Sequence, residues 1–307
     1  MPPLLEAQKI TKQFPGTLAL NQVDFSLEAG EVHALIGENG AGKSTLIKIL
    51  AGLYQPDSGT LCINGQSVTF QAPADSLRQG IKVVYQELDL APNLSVAENV
   101  FLGATPRTRL GTVDWRALYN RTRELLTELG LEIDPRTTID QLRVAEQQLV
   151  EIARALSRQA RIIIMDEPTS ALSPSEIEKL FGVVRTMQAR QVGVIYVSHK
   201  LDEIYSIADR VTVLRDGEHI QTAQVSATQA HQLVTWMVGR EIKDLYPKTE
   251  GRPAEVVLEV RDLAYERVGP LNFELRAGEV LAVFGLMGAG CTRWGGCCLA
   301  TCPAPAA

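Results

Sequence analysis

The feature that most constrains this chain is the stretch Gly37–Thr45, which reads Gly-Glu-Asn-Gly-Ala-Gly-Lys-Ser-Thr. It fits the pattern G-x-x-x-x-G-K-[ST], which holds phosphate groups between a strand and a helix. The apolar run Val32–Ile36 precedes it and predicts a buried strand. Behind it, Leu46, Ile49 and Leu50 recur at helical spacing. The loop therefore stands where this pattern requires it, after a strand and at the N-terminus of a helix.

The residue types of this loop suit the phosphates of a nucleotide and a magnesium ion. Glycines let the backbone turn its N–H groups inward, and the helix end adds roughly +0.5 of an elementary charge. Lys43 can reach the β- and γ-phosphates, and the Ser44 hydroxyl can ligate Mg²⁺. The alternative is a glycine-rich turn that binds no ligand. The preceding strand, the spacing of the motif and the following helix all favour the phosphate-binding loop instead. We therefore predict nucleotide contacts along the whole loop, through Gly37, Glu38, Asn39, Gly40, Ala41, Gly42, Lys43, Ser44 and Thr45.

Composition narrows the class of protein further. The 307 residues are 45% apolar and 21% charged, which is ordinary for a folded globular protein. The net charge of −6 offers no general basis for binding nucleic acid or an anionic membrane. The sequence has no run that approaches the roughly 18 to 20 apolar residues of a membrane span. The segment Met1–Glu6 lacks the pattern of a secretory leader. These observations predict a cytosolic protein that binds no nucleic acid.

Polar side chains follow three further predicted strands, Ile81–Tyr85, Arg161–Met165 and Val192–Val197. In open α/β sheets, ligands bind at the carboxyl ends of the strands. The residues that would reach such a site are Gln86, Asp166, Glu167 and His199.

Each of these residues has a structural alternative and a chemical role. Adjacent carboxylates can cap a turn, but beside a phosphate loop Asp166 would hold Mg²⁺ and Glu167 would polarise the attacking water. Gln86 is either a surface residue or a ligand of the metal or the water. His199 alone would more often be structural, and the convergence of strand ends favours a γ-phosphate contact. Phe14, a lone aromatic, is either core or a flat apolar face for a base.

The sequence begins to repeat itself near its end. Val23–Gly42 aligns without gaps with Leu271–Gly290, and 11 of the 20 positions are identical. This similarity indicates a tandem duplication of the nucleotide domain. Cys291 stands where Lys43 stands in the first copy, so the second loop lacks its main phosphate-binding charge. The composition of residues 291–307 then breaks with the repeat. We interpret this tail as aberrant, from a shifted reading frame, with a genuine short tail as the alternative.

Together these motifs resemble the ATPase subunits of ABC transporters, above all the tandem ATPases of bacterial monosaccharide importers (ribose, galactose, xylose and arabinose type). The resemblance covers about residues 4–290. It makes Phe14 the adenine-stacking aromatic. It assigns the other motifs as Walker A at Gly37–Thr45, the Q-loop at Gln86, Walker B at Ile162–Glu167 and the H-loop at His199.

The signature segment departs from the family pattern. Leu142–Gln147 falls where the family has LSGGQ, and the resemblance implies that Arg143, Val144, Ala145 and Glu146 would contact the nucleotide of a partner domain. Arg143 replaces the serine, and Val144 and Ala145 replace glycines. In addition, Ser173 stands where many family members have an aspartate. The signature changes weaken any site built from this domain's own segment.

The resemblance implies an α/β fold of the P-loop NTPase (ABC ATPase) class, with a RecA-like core, an antiparallel β subdomain and a helical subdomain. We expect an ATPase domain over residues 1–240, with its helical subdomain at about 92–157. A linker at 241–254 and the start of a second, degenerate ATPase domain at 255–290 would follow.

The implied function is to bind and hydrolyse ATP with Mg²⁺, as the subunit that energises monosaccharide uptake across the inner membrane. Implied partners are membrane permease subunits, a periplasmic sugar-binding protein and a second ATPase domain. The protein would sit peripherally on the cytoplasmic face of the inner (plasma) membrane. Two alternatives stay open: an ABC-type ATPase that acts on nucleic acid or ribosomes, and a non-functional truncation product that only binds ATP.

Overall fold

The computed structural model of the chain describes residues 2–85, 89–170, 172–239, 255–265 and 268–282. The chain divides into two compact units, Met1–Glu241 and Ile242–Ala307. Gln86, the second glycine loop at 285–290 and the tail at 291–307 lie outside the described residues.

The first unit contains both strands and helices. The described part of the second unit is a pair of strands. The described strands are β1 (Leu5–Phe14), β2 (Thr17–Leu27), β3 (Val32–Ile36), β4 (Ser58–Ile63), β5 (Gln66–Val68), β6 (Ile81–Val84), β7 (Ile162–Asp166), β8 (Gly193–Val197), β9 (Arg210–Arg215), β10 (Glu218–Gln224), β11 (Val256–Tyr265) and β12 (Val268–Arg276). The described helices are α1 (Lys43–Leu50), α2 (Pro73–Arg78), α3 (Val96–Val100), α4 (Trp115–Glu128), α5 (Val144–Ser157), α6 (Pro174–Ala189), α7 (Leu201–Ile207) and α8 (Ala230–Val238). Short 3₁₀ helices span Ile139–Gln141 and Val225–Ala227.

A small antiparallel sheet pairs its strands in the order β2-β1-β4-β5. Its tight connections use turn residues: Pro15 and Gly16 join β1 to β2, and Asn64 and Gly65 join β4 to β5. Asn64 and Gly65 have φ of 50° and 78°, which is the conformation of a type I′ hairpin turn. This sheet corresponds to the antiparallel β subdomain expected from the sequence.

The central sheet has the strand order β10-β9-β3-β8-β7-β6. Neighbouring strands from β9 to β6 run parallel, and β10 pairs antiparallel with β9 at the edge. Asp216 and Gly217 form the turn between β9 and β10, with φ of 51° and 80°. The parallel arrangement brings the carboxyl ends of β3, β6, β7 and β8 to the same edge of the sheet.

Strand β7 shows why these strands read as continuous apolar runs. Ile162 and Ile164 belong to a cluster with α1 and the antiparallel sheet. Ile163 and Met165 belong to another cluster with residues of α5 and α6. Because both faces of the sheet are covered, successive residues are all buried and the usual polar alternation is lost.

The helical segment between β6 and β7 contains α3, α4 and α5. Ser95 accepts a hydrogen bond of 3.3 Å from the N–H of Glu98, and Asp114 accepts one of 3.0 Å from Ala117. These side chains satisfy first-turn donors of α3 and α4, and therefore set where each helix begins. The apolar residues of the three helices join the same cluster as β7 and α6, which fixes the segment to the central sheet.

In the second unit, the described residues form the antiparallel pair β11–β12, with Glu259 opposite Glu274 and Val260 opposite Phe273. Its strand β12 overlaps the positions that align with β2 in the sequence repeat.

Candidate functional site

Strand pairing places the loops after β3, β7 and β8 side by side. Leu35 of β3 lies opposite Val197 of β8, and Val197 in turn lies opposite Asp166 of β7. The residues that follow these positions therefore emerge at neighbouring points of one edge. This edge carries the glycine loop, the carboxylate pair and His199.

The glycine loop needs glycine where it touches the rest of the unit. Gly37 and Gly42 have φ of 154° and 101°, which side-chain-bearing residues rarely adopt. A Cβ on Gly37 would lie 2.2 Å from the carbonyl oxygen of Leu214, and one on Gly42 would lie 2.7 Å from that of Ala19. The loop is thus held tightly against neighbouring backbone, and substitution of either glycine would displace it.

The helix that follows the loop leaves its first turn open. α1 begins at Lys43, and its N-cap, Gly42, has no side chain to accept a bond from the first-turn N–H groups. Such unsatisfied donors, together with the positive end of the helix dipole, bind anions. The Ser44 hydroxyl in this turn is exposed, and Thr45 is half-buried.

Lys43 folds back over the loop. Its Nζ donates hydrogen bonds to the carbonyl oxygens of Gly37, at 2.8 Å, and Glu38, at 3.0 Å. Burial lowers the pKa of Lys43, while the negative charges of Glu167 and Asp166 act in the opposite direction. A partly desolvated ammonium group thus sits above the phosphate loop, facing the carboxylates.

Asp166, the last residue of β7, is half-buried. Burial raises the pKa of its carboxyl, the neighbouring charge of Glu167 raises it further, and Lys43 and Lys48 lower it. A carboxylate in this environment gains from a nearby cation. Asp166 and the Ser44 hydroxyl are oxygen donors of the kind Mg²⁺ prefers. Within the described ranges, no group of three or more His, Cys, Asp and Glu side chains is placed to hold a metal ion.

Glu167 and His199 join the two neighbouring loops. Glu167 Oε1 and His199 Nδ1 are 3.1 Å apart, and the backbone N–H of Glu167 donates to the carbonyl oxygen of Val197 at 3.0 Å. Glu167 has φ of 47°, an uncommon conformation for a non-glycine residue that directs its side chain away from the strand path. The side chain of Glu167 is 28% exposed and that of His199 is 59% exposed, so solvent or a ligand can reach both.

The aromatic candidate lies in the antiparallel sheet. Phe14 ends β1, and its ring centroid is 5.4 Å from that of Tyr54 in an edge-to-face arrangement. The ammonium group of Lys12 lies 5.7 Å from the Phe14 centroid. The ring is half-buried, so one part of it packs and another faces solvent.

The signature candidates form the start of α5. Arg143 is the N-cap residue, and its backbone N–H donates to Glu146 Oε2 at 2.9 Å. Arginine has no side-chain acceptor, so it satisfies none of the first-turn donors of α5. Val144 is 52% exposed, whereas Ala145 is buried against the core.

Sequence reasoning missed a buried polar cluster beside this edge, formed around Glu203 of α7. Thr169 and Ser198, which flank the predicted catalytic residues, both donate to its carboxylate. The available signal was the position of Glu203 in the turn directly after His199. A carboxylate there reads as an ordinary charged residue at a helix start.

Among the helices of the described residues, none has both the length and the apolar composition needed to cross a bilayer.

Three comparisons with known proteins identify the class of this domain. The sequence model of the family described as ABC transporter matches residues 20–170. The ribose import ATP-binding protein RbsA of Rhodococcus jostii is 47% identical over 289 residues, which cover 94% of this chain and 58% of that protein. RbsA 1 of Rubrobacter xylanophilus, also named a ribose import ATP-binding protein, is 50% identical over 294 residues, which cover 95% of this chain and 58% of that protein. The chain thus spans about 58% of the length of these curated relatives.

The fold agrees with a solved cassette. The structure of cbiO1 from Clostridium perfringens, part of the ABC transporter complex cbiONQ, has a TM-score of 0.67 at 25% identity and covers 78% of this chain and 95% of that chain. The fold class predicted from the sequence is therefore confirmed. The predicted family is confirmed as well: this chain contains an ABC transporter ATP-binding domain with the P-loop NTPase fold.

Proposed function

We propose that this chain binds and hydrolyses ATP and, as part of an importer, energises the uptake of a monosaccharide. The observation that carries the proposal is the convergence of Lys43, Asp166, Glu167 and His199 at one edge of the central sheet. A phosphate-binding loop, a metal-binding carboxylate, a general base and a polar contact for the γ-phosphate are the parts that phosphoryl transfer requires.

In the proposed complex, the loop Gly37–Thr45 and the first turn of α1 hold the phosphates. Lys43 exchanges its hydrogen bonds to loop carbonyls for contacts to the β- and γ-phosphates. Mg²⁺ would be held by Ser44 and Asp166, with Gln86 as a further ligand, and would neutralise charge on the transferred phosphoryl group. Phe14 would stack on adenine.

Glu167 is the proposed general base. It takes a proton from the water that attacks the γ-phosphate, because its carboxylate is accessible and lies next to the residue that holds the metal. His199 orients Glu167 through the 3.1 Å contact and reaches the γ-phosphate with its other ring nitrogen.

The transport role rests on the relatives, which are named ribose import ATP-binding proteins. We infer the same class of cargo for this chain, with a periplasmic sugar-binding protein and a membrane permease as partners. A groove of about 350 Å³ between the central sheet and the helical segment offers a docking place for a permease segment, and its lining includes Leu77, Tyr85 and Glu151. The protein would then lie peripherally on the cytoplasmic face of the inner membrane.

A second ATPase domain would complete the nucleotide site. In the arrangement implied by the family, the start of α5 with Arg143, Val144, Ala145 and Glu146 faces the phosphates bound to a partner. Arg143 could supply positive charge there, but Val144 and Ala145 lack the conformational freedom of the family glycines. We therefore propose that a site completed by this segment turns over slowly.

The test of ATP binding is isothermal calorimetry with Lys43→Ala, and Lys179→Ala as the matched control because Lys179 is an exposed lysine of α6. We expect Lys43→Ala to weaken ATP binding strongly while the circular dichroism spectrum stays unchanged. Equal ATP affinity in both variants would refute the nucleotide assignment.

The test of the transport role is co-purification of the tagged chain with a sugar permease from solubilised membranes, with the recovered proteins identified by mass spectrometry. Recovery of the permease supports the importer, whereas recovery of ribosomes or nucleic acid alone would favour the rival class of ATPase.

A further inference from the structure

The buried carboxylate of Glu203 connects the loop after β7 with the loop after β8, which carry Glu167 and His199. Glu203 is 5% exposed, and three hydroxyl groups donate to it: Thr169 at 2.6 Å, Tyr196 at 2.9 Å and Ser198 at 3.0 Å. Lys200 Nζ lies 3.2 Å from its Oε1. Thr169, Tyr196 and Ser198 are themselves at most 3% exposed, so the cluster is closed to solvent.

The donors come from the segments that carry the proposed catalytic residues. Thr169 lies in the loop after β7, two positions beyond Glu167. Ser198 lies in the loop after β8 and immediately precedes His199. Both oxygens of Glu203 are used, Oε1 for Thr169 and Oε2 for Ser198, so one rigid planar group sets the distance between the two loops.

Lys200 adds further hydrogen bonds to the same cluster around Glu203. Lys200 Nζ donates to the carbonyl oxygen of Thr169 at 3.2 Å, and the backbone N–H of Lys200 donates to Ser198 Oγ at 3.0 Å. Burial by itself would raise the pKa of Glu203, but the hydrogen bonds from Thr169, Tyr196, Lys200 and Ser198 hold that pKa below its usual value. The carboxylate therefore stays ionised and keeps all of its acceptor sites at neutral pH.

We propose that Glu203 is a positioning residue that fixes the His199 ring against Glu167. The proposal rests on the proposed function only for its consequence in catalysis, because the geometry involves residues of this chain alone. A satisfied buried network of this kind has one low-energy arrangement, and a change in it moves the attached backbone as a unit. A shift of about 1 Å in a catalytic group can cost about 10²-fold in rate.

The first experiment reads the geometry directly. The ring ¹H–¹⁵N spectrum of the chain contains signals from 4 histidines, and His199→Ala identifies the signal of His199. In Glu203→Gln, the amide nitrogen presents a donor where the hydroxyls require an acceptor. We expect the His199 signals to move while those of His231, on α8, stay in place.

The matched control is Glu31→Gln. Glu31 is also buried, at 7% exposure, and pairs with Arg210, but it precedes β3 at the opposite end of the strand from the glycine loop. We expect this variant to stay folded and to leave the His199 signals in place. Unmoved His199 signals in a folded Glu203→Gln protein would overturn the proposal, as would an equal shift in the control.

The second experiment is a double-mutant cycle on ATP turnover. Glu203→Gln should lower kcat by about 10²-fold with the KM for ATP unchanged, and by less than about threefold when His199 is already alanine. Equal factors in the two backgrounds would mean that Glu203 acts independently of His199 and would overturn the proposal. If the wild-type chain hydrolyses no ATP, the proposed function fails, and the histidine spectra still decide the positioning role.

Discussion

Glu151 of α5 makes the stability of the first unit dependent on pH. Its side chain is 7% exposed, and within the described residues its Oε2 has no hydrogen-bond partner. Burial raises the pKa of this carboxyl to about 7, the N–H of Asp89 and the charge of Arg154 lower it, and the charge of Asp89 raises it. The folded chain therefore holds this proton more tightly than the unfolded chain does.

The sign of the effect follows from that difference. In the unfolded chain the carboxyl ionises near its ordinary value of 4.5, whereas in the folded chain it ionises near 7. The stabilising contribution is complete below the lower value and is lost as the pH rises through the higher one. At about 1.4 kcal/mol for each pH unit, the loss amounts to about 3 kcal/mol of the free energy of unfolding.

Glu151→Gln keeps the shape of the protonated side chain and removes the titration. We expect the variant to match the wild type near pH 4 and to be more stable by about 3 kcal/mol near pH 8. Urea unfolding followed by circular dichroism measures the difference, and Glu124→Gln, an exposed glutamate of α4, controls for the loss of one negative charge. If the stability curves of wild type and Glu151→Gln run parallel between these pH values, the reasoning is wrong.

Two further variants test the site. Glu167→Gln should slow ATP hydrolysis by about 10²- to 10⁴-fold while calorimetry shows retained ATP binding, since Lys43 and Asp166 remain, and undiminished turnover would make Glu167 a structural carboxylate. Arg143→Ser supplies the missing N-cap acceptor of α5, so the free energy of unfolding should rise by about 1 kcal/mol in urea titrations. An unchanged or lower stability of this variant would show that the first turn of α5 is already satisfied.

Local signals in the sequence predicted several elements to within a residue. The apolar run Val32–Ile36 is β3, and the strand predicted at Val192–Val197 is β8, Gly193–Val197. Both follow from chemistry within a few positions, because a parallel strand that is buried on both faces has to be apolar throughout. The boundary of β7 differs slightly: Asp166, expected to follow the strand, is its last residue.

The arrangement behind the site could not be read from the sequence. Thr169 and Glu203 are separated by 34 positions. Their bond depends on β7 and β8 being neighbours in the sheet, because Thr169 follows β7 and Glu203 follows β8. The order of strands in the central sheet depends on crossover connections. The hydrophobic pattern of the sequence predicts each strand but does not predict which strands are neighbours. The burial of Glu151 could not be predicted either, because its position in the helical pattern of α5 indicates only a charged residue beside an apolar face. Its burial comes from packing against residues near β6.

The charges at the edge of the sheet suit the proposed ligand, a triphosphate with its magnesium ion. Lys43 is partly desolvated and bonded to neutral carbonyls, while Asp166 is partly desolvated beside a second carboxylate. Burial opposes the charge of each group, and the opposite charge of the other group offsets part of that cost. A triphosphate would compensate Lys43 and the open N–H groups of α1, and its magnesium ion would compensate Asp166. Glu167 has His199 as its partner instead, so in the proposed mechanism its carboxylate would stay available as a base beside the metal.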